Sequence, residues 1–253
     1  MRVCVLASGS KGNVTYIETE KTKSLIDIGK SSLYVEKNLK EIGVDPKKIE
    51  RIFITHSHQD HINGLRVFLK KYNPNVYLSE KMEEEINLII DKAIYIKKEM
   101  EIEDLKIYPI KTSHDAADSV GYIFSSGNKS LMYMTDTGYI NIKNFNKLKN
   151  HDMYILESNH DVEMLMNGKY PYHIKQRILG DKGHLSNKDS AYYLTEFTSD
   201  NTKQVVLAHL SEHNNNKDKA LEAFYKAYEK AGKKAPNVKV ANQKERMEVI
   251  KIW

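Results

Sequence analysis

RIFITHSHQDHINGL, residues 51–65, decides how this chain is read. Within six residues it sets His56, His58, Asp60 and His61 directly after the apolar run Ile52-Phe53-Ile54. Side chains two apart on an extended segment share a face, so His56 and His58 point the same way. Asp60 and His61 then stand at the mouth of the next element, where Ile62, Leu65, Phe68, Leu69 and Tyr72 recur at helical spacing. A strand that ends in such a turn presents three imidazoles and a carboxylate to two adjacent points in space. The plain alternative is a polar loop whose histidines only cap and solvate. Imidazoles packed this closely repel when charged, so their convergence needs a cause, and two adjacent divalent cations supply one.

Composition bounds the rest. A chain of 253 residues is long enough for a sizeable core. No Pro/Gly/Ser-rich linker or shift in composition divides it, so one domain over 1–253 is expected. A hydrophobic content of 40% with 29% charged residues fits a globular protein. The single cysteine, Cys4, lies inside the first apolar run, which excludes a disulfide within the chain and fits a reducing compartment. The start, MRVCVLASGS, lacks the apolar core and cleavage pattern of a signal peptide, and no run nears the ~20 apolar residues of a membrane helix. A cytoplasmic chain with no membrane partner is expected, its oligomeric state left open. The net charge of +5 permits an anionic substrate without demonstrating one, and the lysine clusters are interleaved with acids.

Outward from the histidine turn, the chain reads as alternating strands and helices. Residues 2–7, 14–19 and 23–28 are β-rich runs, followed by a helix over 31–43. The turn Ser8–Asn13 is glycine-rich but lacks the spacing and the following helix of a nucleotide-binding loop. A helix over 62–72, a strand at 76–78 and a helix over 79–91 come next. Apolar strands then end repeatedly in a potential ligand: 105–112 runs into His114, 130–134 into Asp136, 153–156 into Glu157 and 204–208 into His209. Strand ends gather at one edge of a sheet, so these side chains are expected to converge. Residues 158–187 read as irregular, apart from a short helix at 162–167. Helices over 187–197 and 217–231 and strands at 238–241 and 247–253 close the chain, with strands expected inside and helices outside.

His56, His58, Asp60, His61, His114, Asp136 and His209 together resemble the metallo-β-lactamase superfamily, whose signature is HxHxDH followed by a later His, Asp and His. The resemblance implies an α/β fold, a four-layer αβ/βα sandwich with metals at the sheet edge. It implies that His56, His58 and His114 hold one metal, that Asp60, His61 and His209 hold a second, and that Asp136 bridges them. Asp27 is similar to the family's outer carboxylate that orients a ligand histidine, although a turn-forming Asp at a strand end remains the alternative. Nitrogen and oxygen donors without a thiolate suit zinc or manganese, and also iron.

Outside the ligands, His184 in GHLSN and Glu157 resemble the extra histidine and paired acid of the nuclease and phosphodiesterase branches. LASGSKGN, LIDIG, SHDAADSVGY, TDTGY, ESNHDVEML, RILGDKGHLSN and LAHLSEHNN together look like the YycJ (WalJ) family, regarded as 5′-to-3′ exonucleases on double-stranded DNA. The resemblance implies a nucleic-acid substrate, His184 as general acid held by Glu157, and Asp60 as both ligand and proton acceptor. Another phosphodiesterase, on RNA or a small nucleotide, and a thioester or lactone hydrolase stay open; so does a non-catalytic metal-binding module, against which a candidate acid argues. Ser8–Asn13 with Lys11, and Asn159/His160, are candidates for holding a terminal phosphate. Asp115 and Asn187 match the family pattern without an assigned role. His151, His173 and His213 fit no ligand position.

Overall fold

The computed structural model describes residues 1–252. The chain runs β1 (Arg2–Ala7), β2 (Val14–Glu18), β3 (Lys23–Ile26), α1 (Ser32–Glu41), β4 (Arg51–Phe53), α2 (Gln59–Ile62), α3 (Leu65–Tyr72), β5 (Asn75–Leu78), α4 (Glu80–Ile86) and β6 (Ala93–Tyr95). There follow β7 (Met100–Ile102), β8 (Leu105–Lys111), β9 (Val120–Ser126), β10 (Lys129–Met134), α5 (Phe145–Leu148), β11 (Met153–Glu157), α6 (Val162–Asn167) and α7 (Tyr172–Leu179). The chain closes with α8 (Asn187–Phe197), β12 (Gln204–Ala208), α9 (Lys217–Lys230), β13 (Asn237–Val240) and β14 (Ile250–Lys251). Among the described residues the strands form two seven-stranded sheets, ordered β14-β1-β2-β3-β4-β5-β6 and β13-β12-β11-β10-β9-β8-β7.

Alternation at period two sets the layers. Along β11, Met153 and Ile155 join one buried cluster while Tyr154 and Leu156 join the other. The first cluster unites Tyr16, Leu25 and Phe53 of one sheet with Tyr122, Phe124 and Val206 of the other, so the sheets pack face to face. It continues into Val35, Leu39, Phe68 and Met82 on helices. The second packs the outer face of β11 and β12 against Leu194 and Phe197 of α8 and Phe224 and Tyr228 of α9. The result is the expected four-layer αβ/βα sandwich. Strands buried on both faces read as unbroken apolar runs, as 205–208 does.

Phe53 anchors the strand that delivers the histidine turn. It stacks on Tyr77 at 4.8 Å and meets Tyr122 and Phe124 edge-on at 5.8 and 5.1 Å. Each such pair adds about 0.5–1.5 kcal/mol beyond area burial. Tyr122 Oη then donates to Ile54 O at 2.6 Å, fixing the backbone just ahead of His56.

Strand direction collects the site. β3 and β4 are parallel, as are β10, β11 and β12. β8 and β10 are each antiparallel to β9 and so run together. The C-terminal ends of β3 and β4 therefore share one edge of the first sheet, and those of β8, β10, β11 and β12 one edge of the second.

Four local expectations change. The helix over 62–72 is split into α2 and α3, because Gly64 N donates to Ile28 O at 2.8 Å instead of continuing the helical ladder. The helix over 79–91 starts with Ser79 capping Met82 N but ends at Ile86, where Asn87 turns left-handed. The sequence pattern marks none of β6, β7, β9, α5 and α7. Of the strand over 247–253, Ile250–Lys251 pairs with β1, and Trp253 lies outside the described residues. Among the described residues no helix is long and apolar enough to cross a membrane.

Candidate metal centre

Backbone strain marks this edge. Asp27 and His209 directly follow β3 and β12, Asp136 lies just past β10, and all three are left-handed, with φ of 57°, 56° and 56°. Such a conformation costs a non-glycine residue roughly 1–3 kcal/mol and persists where the surroundings over-determine it. The second source of order is a close approach at Gly29, where a Cβ would lie 1.7 Å from Asp60 O. Because no Cβ is there, Asn13 N donates to Asp60 O at 2.7 Å, Gly29 N to Asn13 O at 2.8 Å and Ile28 N to His61 O at 2.8 Å. The turn bearing Asp60 and His61 is thereby clamped to the first sheet.

The seven expected ligands come together in two groups. His56, His58 and His114 each offer an atom within 4.8 Å of the others, and so do Asp60, His61 and His209. Asp136 lies between the groups. Its Oδ2 is 3.2 Å from His61 Nε2, and its Oδ1 is 3.9 Å from His114 Nε2 and 3.4 Å from His209 Nδ1. Asp60 Oδ2 stands 3.6 Å from both His61 Nε2 and His209 Nε2.

The donor set fits divalent cations on a further ground. His56 Nε2, Asp136 Oδ2 and His209 Nε2 are buried and accept or donate no hydrogen bond within the protein. Three orphaned lone-pair atoms aimed into one cluster are costly unless something coordinates them. Burial and the neighbouring His61 push His56 well below its ordinary pKa, toward the neutral ligating form. Burial works against the Asp136 carboxylate, yet His209 and His61 hold its pKa well below the usual range.

The outer shell is fully wired. Asp27, fully buried, accepts from Thr55 N and Thr55 Oγ1 at 2.8 Å each and meets His61 Nδ1 at 2.7 Å. Thr55, absent from the sequence reading, also touches His56 Nδ1 at 3.1 Å; its place between β4 and His56 was the available signal. Glu157 fills four acceptor positions. Oε2 takes Thr137 N and Leu185 N at 3.1 Å, while Oε1 takes His184 Nδ1 at 2.8 Å and His209 Nδ1 at 2.9 Å. The expected Glu157–His184 pair is present, and the same oxygen also meets Nδ1 of His209. Burial raises the Glu157 pKa, but His184 brings it down to about 2. Burial disfavours the His184 imidazolium, and Glu157 more than offsets this, so its pKa lies above the ordinary value.

Three of the residues considered for a terminal phosphate are bonded to histidines of the cluster. Ser8 Oγ accepts from His209 N at 2.7 Å, Asn159 Nδ2 donates to His209 O at 3.0 Å, and Asn13 Nδ2 lies 2.9 Å from His61 Nε2. Lys11 is paired with Glu212. Lys30 is the neighbouring cation that sequence reading passed over; it stands beside the Gly29 clamp with its Nζ 5.6 Å from the Tyr34 ring centre. His160 is buried with neither ring nitrogen bonded, and burial lowers its pKa to about 4. Asn187 accepts from Ser158 Oγ at 2.6 Å and donates to Asn215, a structural knot. His151 bonds Lys147 O, and His173 and His213 are exposed, all away from the ligand groups.

Comparison with known proteins agrees with this geometry. A family model described as "Beta-lactamase superfamily domain" matches residues 25–210. The chain is 39% identical over 235 residues to exodeoxyribonuclease YycJ of Bacillus anthracis, spanning 90% of this chain and 89% of that one. It is 40% identical over 225 residues to exodeoxyribonuclease WalJ of Streptococcus pneumoniae serotype 2, spanning 85% and 84%. The metallo-beta-lactamase fold protein YhfI from Bacillus subtilis superposes with a TM-score of 0.73 at 16% identity, covering 98% of this chain and 99% of that one, a likeness of fold. The chain therefore belongs to the beta-lactamase superfamily and, within it, to the family of the YycJ/WalJ exodeoxyribonucleases.

Proposed function

We propose that this chain is a dinuclear-metal phosphodiesterase that removes nucleotides from the 5′ end of double-stranded DNA in the cytoplasm. The observation that carries the reading is the Glu157–His184 pair at 2.8 Å, set beside two ligand groups. A module that only binds metal needs no positioned acid. The names of the relatives, both exodeoxyribonucleases, support DNA attacked from an end; duplex form and 5′-to-3′ direction are carried by the sequence resemblance to the YycJ/WalJ family.

His56, His58 and His114 would hold one cation, Asp60, His61 and His209 the other, with Asp136 shared. Zinc, manganese or iron suits nitrogen and oxygen donors without thiolate. When bound, such cations polarise the phosphodiester and lower the pKa of water. The chain's own groups do the rest. Glu157 Oε1 holds the His184 Nδ1 proton, which leaves Nε2 to protonate the departing 3′ oxygen. The same oxygen holds His209 Nδ1–H, so the His209 lone pair lies on Nε2. Asp60 takes the proton released by the attacking water, besides its part in holding a cation.

The test is digestion of end-labelled DNA and RNA with zinc, manganese or magnesium. Linear duplex DNA with a 5′ phosphate is expected to shorten from that end while closed circles survive. Release of the 3′ label first, or efficient nicking of circles, would reject exonuclease polarity and leave the phosphodiesterase standing.

A further inference from the structure

One surface tract beside the metal centre contributes almost nothing to the core. From Lys169 to Lys182 the chain carries four cations, Lys169, Lys175, Arg177 and Lys182, against one carboxylate, Asp181, with Tyr170, Tyr172 and His173 interleaved. Its helix α7 buries no residue, and Tyr172 is 70% exposed. A helix of eight residues without a buried face has little intrinsic stability. Lys175 Nζ donates to Met166 O at 2.7 Å, and further ties run to the site. Arg177 Nε donates to Asp115 Oδ2 at 2.6 Å, and Asp115 Oδ1 lies 3.7 Å from His58 Nε2 and 3.4 Å from His114 Nε2. His184 N donates to Ile178 O at 3.0 Å, and Gly183 O lies 3.3 Å from His114 Nδ1. A Cβ on Gly183 would fall 2.1 Å from Ile178 O, so only glycine permits that junction. On the other flank the Tyr170 ring meets His213 edge-on at 6.2 Å, just beyond His209.

The tract is thus fastened on both sides of the clustered histidines, with Lys169, Lys182 and the Tyr172 ring left facing solvent. An acidic peptide would use the cations and leave the rings without a partner. A nucleic-acid strand uses both, phosphates on lysine and unpaired bases on aromatic faces. We infer that residues 169–182 form a platform for a single-stranded stretch of nucleic acid at the end being degraded. Tyr172 stacks on an unpaired base, and Lys169 and Lys182 contact the backbone. This inference rests on the nuclease reading above and names where that substrate lies.

The experiment measures binding of the metal-replete chain to a short fluorescent single strand with uncleavable phosphorothioate links. Tyr172→Ala should weaken binding roughly 10-fold or more, and Tyr172→Trp should restore it. Replacing Lys169 and Lys182 together by Ala should lower the slope of log affinity against log salt by about 1 to 2. Metal content, melting temperature and hydrolysis of bis-p-nitrophenyl phosphate should not change, because these side chains touch neither core nor ligands. Variants that bind like the parent, a parent that does not bind the strand, or an equal loss on the small phosphodiester would overturn the platform. A parent that binds through the tract but fails to shorten DNA leaves the platform standing and removes the exonuclease reading.

Discussion

Glu157→Gln removes one negative charge and changes no volume, yet it should disable two parts of the site at once. All four lone-pair positions of the carboxylate are used: two by the backbone amides of Thr137 and Leu185, two by Nδ1 of His184 and His209. A glutamine can keep its oxygen toward the amides, but its NH2 then opposes two Nδ1–H groups. Relief requires each imidazole to move its proton to Nε2. On His209 that places a hydrogen on the buried, unbonded atom aimed into the ligand cluster. The reverse flip leaves the Thr137 and Leu185 amides facing a donor, at about 1–3 kcal/mol each. Losing an outer-shell partner of this kind typically weakens metal affinity ~10–100-fold. Loss of the positioned acid adds a ~10²–10⁴-fold fall in turnover. Competitive chelator titration and hydrolysis of bis-p-nitrophenyl phosphate at saturating metal separate the two effects. A variant that retains parental affinity for both ions would refute the shared role of Oε1, whatever its activity.

The remaining expectations are simpler. His184→Ala should retain its metals and lose turnover by ~10²–10⁴-fold, whereas Asp136→Ala should lose metal; elemental analysis beside kinetics would expose a reversed assignment. Gly29→Ala forces a methyl to within 1.7 Å of Asp60 O. It should lower the melting temperature, by about 1–3 kcal/mol of stability, and metal occupancy with it, and an unchanged thermal melt would contradict the clamp. Burial pushes the Cys4 thiol up to about 11, and it donates to Met247 O at 3.2 Å. Because the folded pKa is raised, the reactive thiolate is about one part in a thousand at pH 8 and grows only as pH nears the raised value. Alkylation should therefore track unfolding, and rapid labelling of folded protein at pH 8 would disprove the burial.

The convergence of the seven His and Asp side chains was readable because each occupies a marked place: four within six residues, the rest just past the ends of apolar strands. The order of elements suggested strands inside and helices outside, while the four-layer sandwich came with the family resemblance. What escaped reading lacked a periodic signal. α7 buries nothing, so no apolar stripe marks it, and Pro171 before it reads as a break. β9 carries Gly121 and ends in two serines, which weaken a strand signal although the strand lies between β8 and β10. The double duty of Glu157 was out of reach for another reason. Its sequence position suggests one partner, and only the fold brings His209, which is 52 residues away, to the same oxygen.

The account stands or falls on a metal titration. Chelator-stripped protein, reloaded stepwise with manganese or zinc, would be assayed for bound metal and for bis-p-nitrophenyl phosphate hydrolysis at each step. The account predicts uptake approaching two equivalents, with activity rising mainly with the second ion. A ceiling at one equivalent with full activity would contradict it.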